Sequence, residues 1–207
     1  MGKPLESALA ECWKRIESGA SVQAPDRLGP LQEYLALELT RREIGDRRAI
    51  DDAIPGFVRT KDIDVVAWRG AEPVVAISCK SLFKNPGGTV PNRLDDAIGE
   101  AVNLRKRWPS IRLGYVMIFD MRIAKPGPKS RDWSVSLQEG VLRLTSNESP
   151  PPIIDSAALL LIEAVHPRLL LKSVEPTLEF EGFFDRLLSK QHIRPSGRAR
   201  QTRVPNG

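Results

Sequence analysis

Two short apolar runs joined by a glycine-containing turn set the strongest limit on how this chain folds. The first run, "DIDVVAW", contains Asp64, and the second, "PVVAISCKSLF", follows the turn at Arg69-Gly70. Short runs rich in β-branched residues on either side of a turn are typical of paired strands. The stretch from Val74 to Ile77 is continuously apolar, which indicates a central strand covered on both faces. We therefore expect a sheet with helices packed around it.

The remaining segments alternate between helix and strand patterns. Apolar residues recur at helical spacing in three stretches: from about Leu5 to Ile16, from about Pro30 to Ile44, and over "NRLDDAIGEAVNLRKRW". "LGYVMIFDM" is typical of a buried strand and "WSVSLQEGVLRLT" of a strand pair, while "DRRAIDDAIPG" and "KNPGGTVP" are expected to be loops. Two closing helices are expected around residues 156–165 and 177–190. This order predicts an α/β sandwich built on a mixed sheet.

Composition is typical of a cytoplasmic protein with one domain. Its 207 residues suit a single domain, which we expect over residues 1–190. The two cysteines, Cys12 and Cys79, lie far apart and in no metal-ligand spacing, so neither a zinc site nor a disulfide framework is expected. The N-terminal stretch carries charges throughout, unlike a signal peptide. The apolar runs are too short to span a membrane.

The charge balance favours a polyanionic partner. Lysine and arginine number 31 against 26 acids, which gives a formal charge of +5. The bias is strongest over residues 191–207, which contain no acidic residue. Their basic residues are Arg194, Arg198, Arg200 and Arg203. We expect this stretch to be a disordered basic tail that either lies on phosphates or is simply solvated.

A carboxylate and a lysine are expected to meet at the edge of the predicted hairpin. If Asp64 to Ala67 pairs with Val74 to Ile77, Asp64 emerges beside the segment from Ser78 to Lys80. Because desolvating an ammonium group is costly, a lysine at the end of an apolar strand requires an explanation. One explanation is a structural ion pair. The other is a phosphodiesterase site, in which a carboxylate holds a divalent metal while a lysine orients water and offsets charge at a phosphate.

The helix that follows Lys80 offers a second acid. Its polar residues, at spacings of four, three and four, form a row separate from the apolar stripe: Asp96, Glu100, Asn103, Arg107. Such a row is either a solvated helix face or part of a site. Its position directly after a strand-end lysine favours the site, because a single carboxylate binds Mg²⁺ weakly.

These residues resemble the core of the PD-(D/E)xK nuclease superfamily. "DVVAWRGAEPVVAISCK" is similar to that core, in which an Asp is followed one strand later by an acid-x-Lys triplet, except that Ser78 stands where the acid should be. The type II restriction endonucleases that cut around CCGG share this Ser-x-Lys departure. There, a Glu on the next helix replaces the acid and an Arg follows seven residues later, as Glu100 and Arg107 do here. The interval from Lys80 to Glu100 is 20 residues, longer than in that group, so "KNPGGTVPNR" would hold an insertion.

The resemblance implies a restriction-endonuclease-like three-layer sandwich, with a central mixed β-sheet flanked by helices and a core over about residues 30–121. It also implies Mg²⁺, or Mn²⁺ in its place, held by Asp64, Glu100 and the backbone carbonyl of Cys79, with Asp96 as the alternative to Glu100. "GPLQEYLALEL" resembles the helix before the first catalytic strand of such proteins. Glu33, or else Glu38, would then reach toward the metal.

The same resemblance implies the remaining roles. Lys80 would position or deprotonate the attacking water and stabilise added charge on the phosphate, and Ser78 would at most form a hydrogen bond. Asn103 and Arg107, which belong to the polar row of the helix, would support the site. Lys84 and Arg93 flank the Gly87-Gly88 turn, and they either contact DNA phosphates or belong to a solvated loop. The implied activity is that of a metal-dependent DNA endonuclease in restriction or defence.

Two other functions remain open on the sequence alone. Ser78 is the main reason to consider a catalytically degenerate protein that keeps the nuclease fold and binds DNA without cutting it. Alternatively, Asp64 and Lys80 would be an ion pair in a structural partner of a defence or repair complex. The sequence leaves open the recognition sequence, the choice between duplex DNA and single-stranded, branched or RNA substrates, and the formation of a homodimer.

Overall fold

A six-stranded mixed sheet forms the centre of the computed structural model, which describes residues 4–18, 27–127, 129–146, 152–165 and 168–189. The strands lie side by side in chain order. Their bounds are β1 Arg47–Ile54, β2 Lys61–Arg69, β3 Glu72–Leu82, β4 Arg112–Asp120, β5 Ser156–Val165 and β6 Arg168–Lys172. β4 is parallel to both β3 and β5, and the other neighbours pair antiparallel.

Helices cover both faces of this sheet. Their bounds are α1 Leu5–Glu17, α2 Gly29–Arg41, α3 Pro86–Arg107, α4 Trp133–Thr145 and α5 Phe183–Leu188, with 3₁₀ turns at Met121–Ile123 and Pro176–Leu178. One apolar core contains Leu35 of α2 and Phe183 of α5, and a second contains Leu104 of α3 and Leu137 of α4. The fold is therefore α/β with a mixed sheet, and its layering is compatible with a three-layer sandwich.

The sequence predicts the central part of the fold correctly. The hairpin of β2 and β3 turns at Gly70, whose φ of 58° is strained for residues with a side chain. Helices α1, α2 and α3 and the buried strand β4 also occur where the apolar spacing places them. None of the helices in the described ranges combines the length and apolar character that crossing a bilayer requires.

Two strands occupy segments for which the prediction was wrong. β1 lies in "DRRAIDDAIPG", predicted as a loop; it is a largely exposed strand that is ordered by pairing with β2, with Ala49 opposite Val66. β5 lies at Ser156–Val165, predicted as a helix; it pairs in parallel with β4 and is buried over most of its length. A continuous apolar run is compatible with a buried helix and with a buried strand. The position of the run in the fold determines which of the two it forms.

Two other segments are helical where the sequence predicted loop or strand. "KNPGGTVP" is not a loop, because α3 begins at Pro86, a position that favours proline, and continues through Pro91. "WSVSLQEGVLRLT" is α4 and not a strand pair, since Asp132 caps it by accepting from two N–H groups of its first turn. The helix expected over residues 177–190 is reduced to a 3₁₀ turn and α5. The predicted basic tail at residues 191–207 lies outside the described residues.

The hairpin register determines which side chains meet at the candidate site. Val65 pairs with Ile77, so Asp64, near the start of β2, comes level with Ser78, near the end of β3. Helix α3 connects the end of β3 to the start of β4 and packs on the sheet through residues that include Ala101. The start of β2, the end of β3 and the middle of α3 therefore approach one another.

Candidate active site

Asp64 is the centre of a hydrogen-bond network at this junction. Its Oδ2 accepts from the backbone N–H of Cys79 at 2.9 Å and from Nζ of Lys80 at 3.1 Å. Its Oδ1 accepts from Nε2 of Gln32, on α2, at 3.0 Å. The side chain of Asp64 keeps 17% of its surface exposed, so the carboxylate is fixed in place and still reachable from solvent.

Lys80 is a largely buried ammonium group close to two carboxylates. Its side chain is 24% exposed. Burial lowers the pKa of Lys80, but the charges of Asp64 and Glu100 outweigh burial, and the pKa is raised above its ordinary value. Lys80 is therefore protonated at neutral pH in this arrangement, and it acts as a hydrogen-bond donor and a positive charge.

The second carboxylate comes from α3. The hydroxyl of Ser78 donates a hydrogen bond to Oε1 of Glu100, and Nζ of Lys61, at the start of β2, lies 3.6 Å from Oε2. Ser78 and Lys80 are two residues apart on β3 and project from the same face of the strand. Glu100 therefore lies on the face of the sheet that carries Lys80, and the structure places it, rather than Asp96, in the network.

Two residues of this network had no part in the sequence prediction. Nε2 of Gln32, which is buried, donates to Asp64 and also to Oδ1 of Asp51 at 3.1 Å, so one amide links two carboxylates. Asp51 lies on β1, level with Asp64, and has a left-handed φ of 50°. Partial burial and then the charge of Asp64 raise the pKa of Asp51, whereas the bond from Gln32 lowers it. The acids of "AIDDAI" are the sequence signal for Asp51, but they lie in the segment predicted as a loop.

The acids proposed on α2 lie away from the network. Glu33 is exposed and stands about 100° around the helix from the buried Gln32. Glu38, the alternative, is buried and forms ion pairs with Arg41 and Arg42 of its own chain segment. Gln32 thus occupies the place on α2 from which an acid was predicted to reach the metal.

Asp96 lies near the middle of α3, and the two predicted DNA contacts, Lys84 and Arg93, come before it along the chain. Asp96 is exposed, and its Oδ2 lies 2.9 Å from Nη1 of Arg93. Lys84 is exposed just before the helix begins. The interval between Lys80 and Glu100 therefore contains the first turns of α3 and not an inserted loop. Contact of Lys84 and Arg93 with DNA stays a prediction.

Asn103 and Arg107, the predicted supporting residues, contact other parts of the chain. Oδ1 of Asn103 accepts from the N–H of Val58 at 2.8 Å, in the loop that precedes β2. The guanidinium of Arg107 lies over the ring of Trp108, 5.3 Å from its centroid. Neither contact involves Asp64 or Lys80, so support of the site by Asn103 or Arg107 stays a prediction.

Cys79 contributes its backbone to the site and its side chain to the core. Burial raises the pKa of the Cys79 thiol well above its ordinary value. Cys12 is buried as well, and burial raises its pKa to about 11. Both thiols are therefore uncharged at neutral pH and poor nucleophiles, as expected for packing residues.

The oxygen atoms at this junction suit a hard divalent cation. Within the described ranges, no three or more His, Cys, Asp or Glu side chains form a group arranged to hold an ion. Mg²⁺ commonly binds through one or two carboxylates and keeps several waters, so a smaller set of protein ligands is sufficient for it. Asp64 and Glu100 are the carboxylates at this junction that would supply such a set. They fit Mg²⁺ or Mn²⁺ better than zinc, which favours sulfur and imidazole.

Comparison with known proteins adds no family to these observations. A scan against protein-family models gives no match to this chain, and a search of curated proteins gives none either. The functional interpretation therefore depends on the geometry of the site and on the resemblance carried by its residues.

Proposed function

We propose that this protein is a Mg²⁺-dependent endonuclease that hydrolyses phosphodiester bonds of DNA. The observation that carries the proposal is the position of Lys80, a largely buried ammonium group that is bonded to Asp64 and whose pKa is also raised by the charge of Glu100, an acid from a separate element. Asp64 lies 3.1 Å from Lys80, and Glu100 is bonded to Ser78 on the same strand face. A structural ion pair requires one acid, whereas a second acid on α3 favours a catalytic site.

The order of elements supports the same proposal. An antiparallel hairpin of β2 and β3, followed by α3 and by β4 parallel to β3, agrees with the restriction-endonuclease-like core expected over residues 30–121. The Ser-x-Lys triplet lies toward the end of β3 and the replacement acid on the next helix, as the resemblance implies. Because one fold serves many functions, the side chains of the site are stronger support for a function than the fold is.

Asp64 and Glu100 would hold the metal ion, with the carbonyl of Cys79 as a third oxygen. The N–H of Cys79 faces Asp64, and the N–H and C=O of one strand residue point toward the same neighbour, which favours this carbonyl as a ligand. Asp51, linked to Asp64 through Gln32, is a further candidate. When bound, Mg²⁺ or Mn²⁺ would polarise the phosphate and activate a water molecule.

Lys80 would act through its positive charge. Its Nζ donates to Asp64, so the ammonium group is positioned before a substrate arrives. A fixed ammonium group stabilises the additional negative charge that a phosphate develops when water attacks it, and it can orient that water by donating a hydrogen bond. Ser78 would keep Glu100 in place through its hydroxyl.

Substitution of the two central residues tests the proposal. In an assay of supercoiled plasmid nicking with and without Mg²⁺, we expect Asp64→Asn and Lys80→Ala each to reduce the rate by about a hundredfold or more, because each removes a group that acts on the transition state. Asp62→Asn is the matched control, since Asp62 is an exposed acid two residues away on β2. It should keep wild-type activity.

Unchanged nicking by Asp64→Asn or by Lys80→Ala would contradict the assignment. The thermal unfolding midpoint of each variant, measured beside the wild type, separates loss of the site from loss of the fold. Mapping of the cut ends shows whether cleavage depends on sequence, and the same assay with single-stranded DNA and RNA defines the substrate.

A catalytically degenerate DNA-binding protein is the second candidate. One observation favours it: Ser78 supplies no carboxylate, and no group of three ligand side chains forms among the residues that the structure describes. Such a protein would bind DNA in a salt-dependent manner and would nick no plasmid. A binding assay run beside the plasmid assay distinguishes the two functions.

A further inference from the structure

The loop between β1 and β2 presents apolar side chains to solvent although its backbone is firmly hydrogen-bonded. We call residues 55–60 the tip loop. Phe57 is 58% exposed and Val58 is 82% exposed. Ile98 and Val102, on one row of α3, are exposed as well, and Lys106 continues that row to the ring of Phe57. Exposed apolar side chains grouped on neighbouring elements are a feature of interaction sites.

Asn103 holds the tip loop through both ends of its amide. Its Oδ1 accepts from the N–H of Val58 at 2.8 Å and from that of Arg59 at 3.3 Å, and its Nδ2 donates to the carbonyl of Arg59 at 2.8 Å. The N–H of Phe57 donates to the carbonyl of Asn103 at 3.0 Å. These bonds fix the loop on α3, so the direction in which Phe57 and Val58 project is set before a partner binds.

Two further features shape the tip loop. Nε1 of Trp108 donates to the carbonyl of Pro55 at 2.7 Å, and the N–H of Gly56 donates to the carbonyl of Arg59 at 3.2 Å. A side chain at Gly56 would collide with the amide of Asn103. Glycine at this position therefore allows the loop to lie close against the helix.

Positive charge surrounds the apolar tip. Nζ of Lys106 lies 4.6 Å from the centre of the Phe57 ring, and Arg107 lies over Trp108, which is itself bonded to the loop. Arg59 is exposed within the loop. Residues 55–61 and 101–108 contain no acid. An apolar tip with a cationic border is complementary to nucleic-acid bases flanked by phosphates.

We infer that the tip loop is a DNA-contacting element. Phe57 and Val58 contact the bases, and Arg59, Lys106 and Arg107 contact the phosphates on either side. Aromatic and aliphatic side chains that enter a DNA groove or stack on a base form apolar contacts. These contacts depend little on the base sequence.

The position of the tip loop relates it to the site of the proposed endonuclease function, on which this inference rests. The loop leads directly into Lys61, whose Nζ lies 3.6 Å from Glu100. Phe57 is seven residues from Asp64, a distance of at most about 25 Å along the chain. A DNA segment bound at the site would therefore pass within reach of the tip.

Fluorescence anisotropy with a labelled DNA duplex, measured at several salt concentrations, tests the inference. We expect the double variant Phe57→Ala/Val58→Ala to bind DNA at least about tenfold more weakly than the wild type. Its dependence on salt should be unchanged, because apolar contacts release no counterions. Lys106→Ala should weaken binding and also reduce the salt slope by about one. A duplex that carries 2-aminopurine should brighten when the wild type binds, and it should brighten less with the double variant.

Leu170→Ala/Leu171→Ala is the matched control, because these residues form a similarly exposed apolar pair on β6. It should bind DNA like the wild type, and the unfolding midpoints should show that all variants fold. Equal affinity and equal 2-aminopurine signal for the wild type and Phe57→Ala/Val58→Ala would overturn the inference, as would a wild type that binds no DNA.

The plasmid assay separates this inference from the proposed function. A protein that binds DNA through Phe57 and Val58 but nicks no plasmid would contradict the endonuclease and support the role of the tip loop. A protein that nicks plasmid, loses nicking in Asp64→Asn and binds equally well without Phe57 and Val58 would contradict the tip loop alone.

Discussion

At the scale of single residues, Ser78 changes which acid completes the site. A carboxylate at this position would lie on β3 beside Lys80. The serine hydroxyl instead donates to Glu100, and this bond links an acid of α3 to the strand. Lys61 lies 3.6 Å from the other oxygen of Glu100, so the carboxylate is held between a hydroxyl and an ammonium group. This arrangement favours Glu100 over Asp96 for the second acidic role in the proposed site.

Paired substitutions on α3 check that assignment. If the proposed function holds, Glu100→Gln should reduce Mg²⁺-dependent nicking by about a hundredfold or more, because it removes a charge that would bind the metal. Asp96→Asn should stay within about threefold of the wild type, since Asp96 is exposed and paired with Arg93. Rates measured over a Mg²⁺ titration show both effects. Loss of activity in Asp96→Asn with retention in Glu100→Gln would reverse the assignment.

The sequence reveals only part of this site because contacts between distant elements decide the rest. Asp64, Lys80 and Glu100 follow from a hairpin pattern and a helical spacing, both short-range features. Whether Gln32 or Glu33 faces the network depends on how α2 is rotated about its axis relative to the sheet. The packing of α2 determines that rotation. Asp51 reaches the network from a strand whose order depends on pairing with β2.

At the scale of elements, Asp155 links α3, β4 and β5. Its buried carboxylate accepts from Arg105 of α3 at 2.7 Å, from Arg112 of β4 at 3.2 Å and from the N–H of Leu113 at 2.7 Å. Removal of this carboxylate would leave two arginines without their shared partner in a largely buried position. The position of α3, and with it that of Glu100, therefore depends partly on Asp155.

We expect Asp155→Ala to lower the free energy of unfolding by about 3–5 kcal/mol, because it breaks a buried charged network. Glu163→Ala is the control: Glu163 pairs with Lys172 between β5 and β6, both side chains are well exposed, and the cost should be below about 1 kcal/mol. Urea unfolding followed by circular dichroism measures both values. Similar costs for the two variants would show that the Asp155 network adds little stability.

Secondary structure could be predicted from the sequence where the local pattern of apolar and turn residues agrees with the element that the fold requires. The hairpin of β2 and β3 has its turn residue and its apolar runs in the expected places. Gly140 lies within α4, in the segment "WSVSLQEGVLRLT" that was predicted as a strand pair, and a side chain at this position would collide with Leu94 of α3. The close packing of α3 and α4 explains the glycine. Because these helices are separated in the sequence, no local pattern indicates this contact.

At the scale of the whole molecule, the net charge of +5 is unevenly distributed. Residues 191–207 contribute four arginines and no acid, and a second group of basic residues, Arg59, Lys61 and Lys106, lies in and beside the tip loop. Phosphate contacts by such regions release counterions, so they make DNA binding dependent on salt. The tip loop also exposes the apolar side chains of Phe57 and Val58.

Deletion of residues 191–207 should reduce the slope of log affinity against log salt by up to about 4, and nicking at low salt should persist. Replacement of the four arginines by glutamine in the full chain is the matched control, since it keeps the length and removes the charge. Anisotropy measured between low and physiological salt gives the slopes. A slope unchanged by both variants would show that these arginines are simply solvated.

Asn103 and Glu100 stand three residues apart on α3, about 4.5 Å along the helix axis. The helix is thus a spacer of fixed length between the tip loop and the carboxylate of Glu100. Insertion of a single residue between them would turn one away from the other by about 100°. Variants designed to alter DNA preference should therefore change the side chains at positions 57 and 58 and leave this spacing intact.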